Sequence, residues 1–274
     1  MGDKTKERTA PFYLALEEAL RRRGLTLNEV CPPDDALARR ALEEYGAIFL
    51  ACERVCVPHR VIFRDEAEVG DFQQRAGART EIFGGVPVTL QPAAMEALIL
   101  AREELQGAGL DLTPRGGLEA SRRTYSDTLR LWQSRVLPAL RHWTDQGRLL
   151  PEEAERIRRL SPHEQAMIIL DYEARGLFFS KCFSKPIMRS VALPGASQHL
   201  TMLALDINEF QDARVRHVLM RHGWFQTVLD DLPHFTFLGL EENELPHHGL
   251  KSIRSADQIF WTPDLGDENV SIDS

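Results

Sequence analysis

The sequence predicts an α+β fold: a small, mainly antiparallel sheet with helices packed on one side, preceded by an N-terminal helical or mixed extension. Three observations carry this. Helix-length stretches with capping and stop signals recur along the chain. Short apolar runs at 86–90, 203–207 and 234–238 are bounded by turn-forming residues and read as strands. At 274 residues the chain is long enough for one substantial domain, or for a main domain with an extension.

Residues 1–80 form the extension. Thr9 is placed to cap a helix over 11–23 that stops at Gly24, and Asp34 or Asp35 to cap a second over 36–45 that stops at Gly46. Apolar runs at 47–51 and 60–63 read as strands, followed by a helix over 66–75. The main domain covers 81–250. It opens with the strand at 86–90 and a helix from Pro92 to about Gln106, ended by Gly107 and Gly109. A strand at 110–113 and the turn Pro114-Arg-Gly-Gly117 then deliver Arg122 and Arg123 ahead of a helix over 126–145. Residues 151–186 read as a helical insertion, because Ser161-Pro-His-Glu164 is a capping box with proline in the first turn of a helix over 162–175. That places His163 on the surface and makes the insertion either a lid or a packing element. After residue 206, Asn208-Glu-Phe-Gln211 can cap a helix carrying His217 and His222 and ending at Gly223. Residues 224–228 read as a strand. His247 and His248 lie in a loop as cleft-rim candidates, and 251–274 is a polar, acidic tail with a mobile end.

Composition excludes several functions. The charged fraction of 27% and hydrophobic fraction of 43% are those of an ordinary globular protein. A net charge of −8 without any long Lys/Arg run argues against a nucleic-acid partner. No apolar run is long enough to cross a membrane. The N-terminus has charge but no apolar signal core, so the expected location is cytoplasmic, or periplasmic or extracellular if an export signal has been trimmed. Cys31, Cys52, Cys56 and Cys182 lack zinc-ribbon spacing; Cys52 and Cys56, in an apolar segment, are expected as buried reduced thiols, with a disulfide open to an exported protein.

The chemistry concentrates in Ser197 to Asp206 and in Asp231-Leu-Pro-His234. His199, Asp206 and His234 can bind a first-row metal through nitrogen and oxygen, and Asp231 is free for acid/base work, which is a catalytic zinc site in outline. Spacing limits how they meet. In one helix, His199 and Asp206 would lie about 10 Å apart along the axis, too far for one ion held at about 2 Å. In one straight strand their odd separation would put them on opposite faces. His199 is therefore expected in the loop entering a strand that ends with Asp206, the chain bending between them. His234 then starts a neighbouring strand.

The segment VALPGASQHLTMLALDI, residues 191–207, resembles VAxPGxSxHxxGxAxDI of the VanY-like D-alanyl-D-alanine carboxypeptidases, zinc peptidases related to D-Ala-D-Ala dipeptidases and phage endolysin peptidases. Asp231-Leu-Pro-His234 is similar to the family's Glu-x-x-His, and Ser121-Arg-Arg-Thr-Tyr125 to its Tyr-Arg-Ser element. The resemblance implies Zn2+ held by His199, Asp206 and His234, Asp231 as general base, and Arg123 and Ser197 against the substrate, a bacterial cell-wall peptide. Two departures stand out: Met202 replaces a glycine, and aspartate replaces the longer glutamate base. They leave open a second class, a zinc-binding protein of peptidase fold that binds wall peptides with weakened hydrolysis.

Overall fold

The three-stranded sheet that organises the molecule is built from β3 (Ala204–Asp206), β4 (Trp224–Phe225) and β5 (His234–Phe237), in the order β3-β5-β4 and antiparallel throughout. Its residues are buried except at the end of β3, where Asp206 is partly exposed and pairs directly with His234. The computed structural model describes residues 9–266. Residues 1–8 and 267–274, where the trimmed-signal and mobile-end expectations fall, lie outside them.

Two further antiparallel ribbons complete the β structure: β1 (Arg79–Phe83) with β2 (Val86–Leu90), and β6 (Leu250–Ser255) with β7 (Gln258–Pro263). The helices are α1 (Pro11–Arg22), α2 (Leu27–Val30), α3 (Ala36–Tyr45), α4 (Glu66–Ala76), α5 (Pro92–Gly107), α6 (Tyr125–Asp145), α7 (Pro151–Arg159), α8 (Pro162–Ala174) and α9 (Ala213–Arg221). The class is α+β, as expected, but with three small sheets in place of one.

Local chemistry explains the termini. Asp35 accepts from the Ala38 N–H at 2.8 Å to start α3, and Thr124 with Asp127 forms a reciprocal capping box for α6. Ser161 and Glu164 do the same for α8. Other expectations need correction. Ala10 rather than Thr9 occupies the cap of α1, with Pro11 in its first turn. Asp212 rather than Asn208 caps α9; Asn208 and Glu209 instead bond Thr113. Residues 47–50 lie in a buried 3-10 turn rather than a strand, and 60–63 and 110–113 are irregular, with only Pro114 bridging to Ile207.

One continuous apolar core runs from Ala10 to Trp261, so residues 10–61 pack into the same interior as the sheet, while Phe63, Val69 and Phe72 form a second small cluster with Leu200. Trp132 and Trp224 are fully buried in the main core, each such side chain contributing a few kcal/mol. The insertion is tied to this core through Gln165, whose side-chain oxygen accepts from Trp132 Nε1 at 2.7 Å. No disulfide joins the four cysteines; Cys52 is half-buried and Cys56 exposed, so burial of the pair is not observed. No helix among the described residues is long and apolar enough to cross a membrane.

Candidate metal centre

The loop before β3 positions His199. Pro194 and Gly195 turn the chain against Phe63, with Phe63 N–H donating to Gly195 O at 2.9 Å. Gly195 has φ +83, and a Cβ there would lie 2.1 Å from the Phe63 carbonyl oxygen, so only glycine fits. A 3-10 turn over Gln198–Thr201 follows and carries His199. Met202 then reverses the chain with φ +57, the bend expected between His199 and β3. That left-handed conformation favours glycine, and the methionine side chain is fully buried. Gln91 fastens the loop by donating to the Thr201 carbonyl at 2.8 Å, and Gln73 by donating to the Leu200 carbonyl at 3.0 Å.

His199 Nε2, His234 Nδ1 and Asp206 Oδ1 converge. The separations are 3.1 Å between the two nitrogens, 3.1 Å from His234 to Asp206, and 3.4 Å from His199 to Asp206. Ligands about 2.0–2.1 Å from a tetrahedral ion stand roughly 3.3 Å apart, so this triangle has the dimensions of one coordination face.

Protons on the far sides of the rings decide what these atoms can do. His199 Nδ1 lies 3.3 Å from the Ser121 carbonyl oxygen, which can only accept, so that nitrogen carries the hydrogen and Nε2 presents a lone pair. His234 Nε2 lies 2.8 Å from Gln198 Oε1. The amide's orientation is fixed because its nitrogen donates to the Tyr45 carbonyl at 2.9 Å, so the oxygen faces His234 and Nδ1 is left unprotonated. Thr236 also donates to Gln198 Oε1 at 2.5 Å. Asp206 Oδ2 accepts from Arg123 at 3.0 Å. With these tautomers three acceptors face one another with no hydrogen between them, an arrangement that a cation satisfies. His199, Asp206 and His234 form a group that could hold a metal ion.

Electrostatics agree. Burial pushes the His199 pKa down to about 4, aided by the nearby Arg123 charge, which keeps the ring neutral and able to ligate. Burial pushes Asp206 up, but charge and hydrogen bonding from His199 and His234 outweigh that and hold it well below the usual carboxylate range whenever a ring proton faces it; the Arg123 guanidinium sits on its other oxygen whatever the rings carry. Desolvation in the cleft, reinforced by Asp206, raises Asp231 above its ordinary value against the opposing charges of His234, Arg123 and Lys185.

A cleft of about 210 Å³ opens onto the group, lined by Arg123, Ser197, His199, Asp231 and His234 among the residues expected there. Asp231 sits in a tight turn whose carbonyl accepts the His234 N–H at 3.1 Å. The arginine pair divides: Arg122 is exposed and bonds Gln73, whereas Arg123 faces the cleft and donates to Asp206 and to the Glu119 carbonyl. The opposite wall comes from α6, through Leu131 and Arg135, and from the 188–192 strap. Residues 151–186 supply none of the lining. Nor do His163, His217, His222, His247 and His248; His222 pairs with Glu104 at 2.9 Å.

Sequence reasoning missed Gln198, Ser121 and Arg135. Gln198, an amide directly beside His199, carried a usable signal; the Ser121 carbonyl and Arg135 carried none. Compared with protein-family models and with curated proteins, the chain matches none.

Proposed function

We propose that the chain is a zinc-dependent peptidase that hydrolyses D-alanyl-D-alanine-type bonds in bacterial cell-wall peptides, in the manner of a carboxypeptidase. The metal part of this reading rests on the three proton-free acceptors of His199, Asp206 and His234. The peptide part rests on the resemblance of residues 191–207 to the VanY-like enzymes. Two imidazoles and one carboxylate suit zinc, and three protein ligands leave a position open, as in catalytic rather than structural sites.

Zinc bound there would polarise a peptide carbonyl and bring the pKa of water to about 7. The remaining work falls to side chains. Gln198 and Ser121 lock the two histidine tautomers, and Arg123 neutralises and orients Asp206. Asp231, three residues before His234 and outside the ligand triangle, takes a proton from the attacking water and returns it to the leaving amine. Its raised pKa makes it a stronger base than an ordinary aspartate. Ser197, buried at the cleft wall, offers a hydroxyl to the substrate backbone.

The second reading is a wall-peptide-binding protein that keeps the metal and hydrolyses poorly. The left-handed Met202 and the short Asp231 side chain favour it. Release of D-alanine from a panel of D-Ala-terminated peptides separates the two. Hydrolysis that a chelator abolishes and zinc restores supports the peptidase; a zinc-loaded protein that binds the peptides and cleaves none supports the binding protein.

A further inference from the structure

We propose that Arg135, on α6, is the residue that reads the substrate's free α-carboxylate, and that Arg123 is a positioning residue for Asp206. The identity of the ligand rests on the peptidase reading, and the identity of the residue on how the charges in the cleft are paired.

Three guanidinium groups line the cleft: Arg123, Arg135 and Arg189. Arg123 pairs with Asp206 at 3.0 Å and also donates its Nε to the Glu119 carbonyl. Arg189 pairs with Asp230 at 2.9 Å, and Asp230 is fixed in turn by Ser255 at 2.8 Å. Arg135 has no carboxylate partner among the described residues. Its Nε donates to Ser190 Oγ at 2.9 Å and one terminal nitrogen to Ser134 Oγ at 2.8 Å, both neutral hydroxyls. These bonds hold the half-buried side chain between α6 and the 188–192 strap while leaving its charge uncompensated.

An uncompensated guanidinium in a confined cleft attracts an anion, and its planar fork suits a carboxylate best. A C-terminal peptide brings one carboxylate at its free end. Arg135 lines the same cleft as His199 and His234, so a peptide whose end pairs with it lies against the metal group. Arg123 is poorly placed for this role, because drawing it onto substrate would leave Asp206 Oδ2 without its cationic partner.

Zinc-loaded full-length wild type, Arg135→Ala, Arg135→Lys and Arg123→Ala are compared on an N-acylated D-Ala-D-Ala peptide and its C-terminal amide. Both kcat/KM and equilibrium binding are read, with thermal melting as a folding control. Arg135→Ala should lower kcat/KM and affinity for the free acid roughly 30-fold and leave the amide within about twofold, with Arg135→Lys in between. Arg123→Ala should weaken zinc retention and lower activity on both peptides alike. Equal losses on acid and amide in Arg135→Ala, or no loss on either, overturn the inference. If wild type cleaves neither peptide yet binds the acid better than the amide, and only while Arg135 is present, the peptidase reading falls and the carboxylate assignment stands. Binding without any acid preference in wild type overturns the assignment as well.

Discussion

Gln198 Oε1 accepts from His234 Nε2 at 2.8 Å, and the same amide's nitrogen is anchored on the Tyr45 carbonyl. One side chain, adjacent in sequence to His199, thereby sets which nitrogen His234 turns toward Asp206. Replacing Gln198 by leucine removes that control and strands the His234 N–H. Zinc affinity should fall about 10- to 100-fold, the usual effect of losing an outer partner, while the fold persists. Competition with a chromophoric chelator measures it. Wild-type affinity in Gln198→Leu would show that the tautomer is set elsewhere.

Asp231 separates enzyme from binding protein. Asp231→Asn should leave zinc content near one equivalent and reduce hydrolysis at least about a hundredfold, the contribution of a general base. Loss of zinc would make Asp231 a ligand or a support of one. Asp231→Glu should preserve or raise the rate if the shorter side chain limits this protein.

Met202 sets two opposing effects against each other. Its left-handed backbone costs about 1–2 kcal/mol relative to glycine, whereas deleting a fully buried methionine side chain costs about 2–5 kcal/mol. The second effect is larger. Met202→Gly should therefore lower stability by roughly 1–3 kcal/mol in urea unfolding. A more stable variant would mean that backbone strain dominates the loop.

Glu173 provides a pH test away from the metal group. Its Oε1 accepts from the Phe179 and Ile187 N–H groups at 3.0 and 2.7 Å, yet burial raises its pKa above the ordinary 4.5. The folded state then holds a proton that the unfolded chain has released, so this residue's contribution to stability declines as pH rises from about 4.5. Glu173→Gln keeps an oxygen for both N–H groups and removes the titration. Its stability relative to wild type should increase from about pH 4 to about pH 7, and a difference that is flat with pH contradicts the assignment.

Much of the metal group was legible in the sequence because chain geometry is restrictive. His199 and Asp206 fit neither one helix nor one strand, which forced the bend that Met202 makes. The turn at Pro194-Gly195 and the strand carrying His234 were legible from turn chemistry and apolar runs. What was missed has physical reasons. The β1 strand, Arg-Thr-Glu-Ile-Phe, buries only Phe83, and β6 exposes alternate residues, so both ribbons look like polar loop or tail. The run Gly-Ala-Ile-Phe-Leu is buried on every side, and total burial erases the periodicity that separates a 3-10 turn from a strand. Gln198 and Arg135 act through partners far along the chain, Tyr45 and Ser190, and no local pattern reports such contacts.

The proposed ion, held by His199 Nε2, His234 Nδ1 and Asp206 Oδ1, is the feature on which the rest of the proposed chemistry depends. Anomalous diffraction at the zinc edge, from crystals of the purified protein, locates it, with zinc content measured in parallel on wild type and on the His199→Ala, His234→Ala double variant. The expected result is a single peak about 2 Å from those three atoms, about one equivalent of zinc in wild type, and essentially none in the double variant. A peak elsewhere, ligation through the opposite ring nitrogens, or undiminished zinc in the double variant would contradict it.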